Sequence, residues 1–198
     1  RDADVTGVQT CALPIWMRWF IAHEGAHFWL GQTVEYETDA DAWIMEGGAN
    51  LLAFRLIEQI DPEYNAGTEL ANSWQTCLAM SVDKPLAEAS ARRDYDANYA
   101  CGTVLGMIAE GAAQTNGGRD FFDFLAALVA ANREDAGGDG IVSVDDWLAQ
   151  LVAESGDEEL AAQLKAFVYR GTDDPQRDLC AMLARVDRAA PGCAVVTE

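Results

Sequence analysis

A chain of 198 residues, 50% of them apolar, is long enough to bury the core of one domain. Its 33 Asp plus Glu against 13 Lys plus Arg leave a net charge of −20, a surface that repels phosphate backbones and anionic membranes and so excludes nucleic acid as an expected partner. No stretch approaches the roughly eighteen uninterrupted apolar residues of a membrane span. Even FFDFLAALVAA is broken by Asp123, and the chain reads as soluble.

There is no start methionine and no basic stretch leading into an apolar one, hence no visible signal peptide. The opening run RDADVTGVQTCALPI resembles a translated sequencing adapter joined to a gene fragment. On that resemblance residues 1–15 are not native, and the protein proper occupies 16–198 and extends upstream.

From Trp16 to Leu30 apolar residues recur at three and four, the spacing of a helix, and Gly31 stops it. The acidic connection QTVEYETDAD is too polar for a core element. Ala42 to Ile60 reads as a long apolar helix ended by Asp61-Pro62, and helices from about Glu69 to Ser81 and Asp96 to Ala113 follow. Asn116-Gly117-Gly118 breaks the last of these, Phe121 to Asn132 resumes, and EDAGGDG is a loop. Ser143, with Asp146 three residues on, forms an acidic variant of the capping box for a helix from Val144 to Glu154. Glu158 to Tyr169 and Pro175 to Arg188 complete an all-α reading with no strand and no repeat.

Setting aside Cys11 in the opening run, Cys77, Cys101, Cys180 and Cys193 form an even set that permits two disulfides and an exported, periplasmic or secreted protein. Cys180 with Cys193 is the expected pair, since a turn at Pro191 and Gly192 can bring the second back to the first. Four buried thiols in a cytoplasmic protein are the alternative.

The chemistry concentrates in FIAHEGAHFWLGQ, which holds both histidines of the chain. Positions i and i+4 share a helix face, so His23 and His27 can reach one ion, as neutral imidazoles bind zinc. Glu24 is rotated off that line, beside the metal, where it can take a proton from an activated water. A hydrolytic zinc site wants three protein ligands and an open position, and Glu46 of DAWIMEGGAN is a candidate third ligand.

HEGAHFWLGQ, with eighteen residues between His27 and Glu46, resembles the gluzincin metallopeptidases of the membrane alanyl aminopeptidase family, with HExxHxWFGN and then WxxDLWLNEGFA. The resemblance extends to Trp29, Gly31, Asp41, Trp43, Gly47 and Ala49, and implies a Zn²⁺ cofactor and a peptide substrate. DYDANYACGTVL resembles the family's YxKG segment. Tyr99 is then implied as the oxyanion-stabilising tyrosine, with Gly102 as the glycine and Cys101 in place of lysine. The tail from Asp139 to Pro175 resembles the end of the family's catalytic domain. The implied fold is the helical half of a thermolysin-like domain, whose sheet half, carrying an edge strand and a GxMEN loop, precedes HExxH and is missing here. Gln32 and Met45 depart from the family's asparagines.

Other readings stand beside these. Tyr95 rivals Tyr99, and Asn50 is a surface residue or an acceptor for a ligand histidine. Glu35, Glu37, Asp39 and Asp41 form a solvated loop or attract a substrate amine. DAGGDGIVSVDD has calcium-loop spacing in Asp135, Asp139 and Asp146, but Gly137 removes a ligand and Asp146 is short for the last position. The expected activity is zinc-dependent, aminopeptidase-like hydrolysis of peptide bonds; a non-catalytic zinc module and an endopeptidase are the alternatives.

Overall fold

The structure is a computed structural model and describes residues 14–190, 192 and 193. Cys11, Pro191 and the adapter-like run up to residue 13 lie outside the described residues. Nine helices follow one another among the described residues: α1 (Ile15–Ala26), α2 (Ala42–Ile60), α3 (Gly67–Ser81), the single turn α4 (Ala89–Arg92), α5 (Tyr95–Thr115), α6 (Phe121–Asn132), α7 (Val144–Ser155), α8 (Glu158–Arg170) and α9 (Pro175–Ala184). The all-α expectation holds with one correction. Glu35–Tyr36 (β1) and Ile141–Val142 (β2) form a short parallel pair, with the Glu35 amide donating to the Gly140 carbonyl at 2.8 Å. Two-residue strands have no alternation to read, which is why the sequence shows none.

Helix α5 forms the centre and packs against α2, α3, α6 and α7. Nearly its whole surface from Ala97 to Ala113 is buried, as the mostly small residues of that run allow. Beside it Trp147 of α7 meets Trp43 of α2 at 5.2 Å between ring centroids and Phe124 of α6 at 4.9 Å. Large side chains so buried stabilise the fold by about 1.5–3 kcal/mol each, and well-angled aromatic pairs add about 0.5–1.5 kcal/mol.

Much of the acid excess sits at helix starts, where carboxylates satisfy orphan amides and oppose the helix dipole. Asp120 with Asp123 and Ser143 with Asp146 make capping boxes for α6 and α7, and Asp157 and Asp174 cap α8 and α9. Buried acids are paired. Glu110 takes both Arg55 and Arg188, and Glu154 takes Arg119 and Asn116.

Two disulfides tie the helices. Cys180–Cys193 draws the C-terminal segment onto α9, and Cys77–Cys101 joins α3 to α5, so the thiols are not free. Among the described residues no helix is long and apolar enough to cross a membrane.

Candidate metal centre

Helix α1 stops earlier than its apolar pattern predicts, at Ala26 and not Leu30. His27 caps it with φ −67° and ψ −9°, and the amides of Trp29 and Leu30 both turn back to the Ala26 carbonyl. Gly31, at φ +128°, then lets its amide donate to the Val34 carbonyl at 2.7 Å. This early stop has a chemical result. The Leu30 carbonyl, freed from helical direction, lies 2.9 Å from His27 Nδ1 and accepts its proton. That fixes the tautomer in which His27 Nε2 carries the lone pair a metal needs.

His23 is buried and in contact with three rings: His27 edge-on at 4.8 Å, Trp19 at 5.3 Å, one turn earlier, and Tyr99 at 5.7 Å, nearly parallel to it. Its Nε2 is 3.2 Å from His27 Nε2. Glu46, in the second turn of α2, brings Oε2 to 3.5 Å from His23 Nε2 and 3.7 Å from His27 Nε2. Among the described residues this is the group of three or more His, Cys, Asp or Glu side chains close enough to hold a metal ion.

These separations test the fit. A tetrahedral zinc with ligands at about 2.0–2.1 Å sets neighbouring ligand atoms about 3.3–3.4 Å apart, close to the three observed edges. Glu46 Oε2 is buried without a hydrogen-bond partner, a costly state for a carboxylate oxygen that a cation would relieve. The donor set also suits the ion. His27 and Glu46 keep 24% and 30% of their side-chain surface exposed, so one side of the group is open to water and substrate.

A close helix crossing brings Tyr99 and Glu46 together. At the crossing of α2 and α5, Gly47 and Gly102 lie backbone to backbone: a Cβ on Gly102 would fall 2.2 Å from the Trp43 carbonyl oxygen, and one on Gly47 2.2 Å from Gly102 itself. Glu46 precedes the first glycine and Tyr99 sits one turn before the second. The Cys77–Cys101 bridge then fastens this part of α5 to α3. Burial, then the Glu46 carboxylate, then Glu24 push the Tyr99 hydroxyl up to about 12, so it stays a proton donor at neutral pH. Glu46 is lowered despite its burial, through His23, Tyr99 and His27. Glu24 is exposed on the last turn of α1, and Tyr95, the rival tyrosine, is 57% exposed.

Several remaining expectations need correction. Asn50 is buried, not on the surface, and neither histidine bonds to it. Asp41 is not solvated: one carboxylate oxygen takes the amide and hydroxyl of Thr38, the other the Val144 amide at 3.0 Å, tying the start of α2 to that of α7. Glu35, Glu37 and Asp39 are exposed. The acids of the calcium-like loop do not converge, since Asp135 pairs with Arg133, Asp139 accepts from the Ile141 amide and Asp146 caps α7. Trp19 and the Leu30 carbonyl were not singled out from the sequence; Trp19 lies four residues before His23, on the same helix face, which is the signal that points to it.

No curated protein and no solved structure matches the chain. Residues 15–100 match the Peptidase family M1 domain, a span that contains His23, Glu24, His27, Glu46 and Tyr99. The mostly helical architecture agrees with the helical half of such a domain. Over residues 15–100, then, this chain is similar to the family M1 peptidases, and that similarity supports a peptidase function.

Proposed function

We propose that the chain carries the zinc centre of an aminopeptidase-like hydrolase of peptide bonds. The observation behind this reading is a buried, unpartnered Glu46 oxygen facing two imidazole nitrogens at the edge lengths of a zinc tetrahedron. His23 and His27 through Nε2, and Glu46 through Oε2, would hold the ion; family M1 peptidases are zinc-dependent in general. Zinc bound there supplies Lewis acidity, bringing the pKa of a water toward about 7 and polarising a carbonyl.

The residues of the chain do the rest. Glu24 takes the proton of the attacking water and passes it to the leaving amine. Tyr99, kept protonated by burial and by the Glu46 and Glu24 carboxylates, donates to the carbonyl oxygen as charge builds there. The Leu30 carbonyl keeps His27 in the tautomer that leaves Nε2 free.

The test is Glu24→Gln, assayed on aminoacyl amides and on internally quenched peptides. The variant keeps wild-type zinc per chain and loses about 10²–10⁴-fold in kcat. Near-normal turnover by the variant contradicts the role given to Glu24. Zinc without hydrolysis of any peptide by the wild type would favour a non-catalytic zinc module, and cleavage of internal bonds alone an endopeptidase.

A further inference from the structure

A cavity of about 310 Å³ opens between α1, α2 and α3 and shares a wall with the metal centre. Trp16 and Trp19 of α1, Phe54 of α2, Tyr64 ahead of α3, and Glu69, Asn72 and Ser73 of α3 line it. Trp19 is the shared wall, because its ring also lies 5.3 Å from that of His23. The volume is within the range of small-ligand pockets.

Four aromatic side chains around one carboxylate select by charge. Ring faces are electron-rich and attract a cation, which also pairs with Glu69, whereas a neutral polar group gains only hydrogen bonds of the kind Asn72 and Ser73 offer. An anion meets Glu69 and a chain of net charge −20. An apolar group would bury Glu69 unpaired. The local field agrees: the Tyr64 hydroxyl is pushed up to about 12 by burial, then by Glu69 and Glu58. The neighbouring cation Arg55 is already held by Glu110 and Glu58. Trp19 Nε1 is buried without a partner, a donor left for an acceptor such as a main-chain carbonyl.

We propose that this cavity is a side-chain subsite of the peptidase centre, taking the guanidinium or ammonium of an Arg or Lys residue of the substrate over its rings and against Glu69. The assignment to substrate rests on the peptidase reading, whereas the cation preference is a property of the cavity itself.

Binding is therefore measured without turnover, on metal-free protein, by following tryptophan indole NMR signals during titration with Nα-acetyl-L-argininamide and with its neutral isostere Nα-acetyl-L-citrullinamide. The cage predicts about tenfold tighter binding of the argininamide, and about fivefold weakening by Glu69→Gln and by Trp16→Ala. Equal binding of the two amides, or unchanged affinity in Glu69→Gln, overturns it. With zinc restored, an arginyl over norleucyl preference in kcat/KM that Glu69→Gln abolishes supports the subsite. Cation-selective binding without any hydrolysis would uphold the cage and count against the peptidase reading.

Discussion

His27 is presented by a helix that ends one residue before it, and its usefulness as a ligand follows from that ending. Had α1 run on to Leu30, the Leu30 carbonyl would point along the helix toward the next turn and away from the imidazole. Gly31 at φ +128° turns the chain away after Leu30, and the acceptor for Nδ1 lies just before that turn. Tyr99 is shaped by its surroundings in a similar way, since burial first, and then the Glu46 and Glu24 carboxylates on two other helices, favour the protonated, donor form of its hydroxyl. Tyr99→Phe keeps the ring against His23 and removes only the donor. Zinc affinity is then expected to stay within about threefold, while kcat falls about 10²–10³-fold, the range for losing one oxyanion donor. Steady-state kinetics beside a zinc competition titration checks this, and a fall carried by KM with kcat intact would contradict it.

The elements meet where the side chains are smallest. Gly47 against Gly102 sets the separation of α2 and α5, and that separation brings Glu46 to Tyr99. Gly102→Ala drives a methyl group into the Trp43 carbonyl, and overpacking of this kind costs about 1–3 kcal/mol, more where backbone must move. Gly25→Ala, by contrast, meets nothing within 4 Å and removes a flexible residue from α1, a gain of about 0.5–1 kcal/mol. Thermal unfolding of the two variants should therefore shift in opposite directions, Gly102→Ala also losing zinc affinity. An unchanged Tm and zinc affinity in Gly102→Ala would mean that the crossing does not position the site. The same contacts mark the reach of sequence reasoning. The long periodic helices were legible because packing a helix needs a repeating apolar face. The end of α1 was not, because Phe28, Trp29 and Leu30 continue the apolar run past the point where the backbone turns.

Across the molecule, legibility depended on sequence distance. The pairing of His23 with His27 follows from helix geometry alone. Glu46, with eighteen residues between it and His27, was a candidate third ligand that the resemblance reinforced, and the structure brings it within 3.7 Å of both imidazoles. The burial of Asp41 could not be read locally, since its partner Val144 lies 103 positions away. Cys77–Cys101 was hidden for a similar reason: parity allowed a bridge, while the partner choice needed α3 beside α5. Two disulfides suit an oxidising compartment, and on that ground we propose that the protein works outside the cytoplasm.

The reading as a whole depends on a metal at His23, His27 and Glu46. Zinc per chain, measured by elemental analysis on protein stripped, reloaded and freed of excess metal, and repeated on Glu46→Ala, tests it most directly. The account predicts about one zinc per chain, with binding abolished or weakened at least about tenfold in the variant, as loss of one of three protein ligands requires. A folded wild-type protein that takes up no zinc, or a Glu46→Ala variant that binds it equally well, would contradict the account.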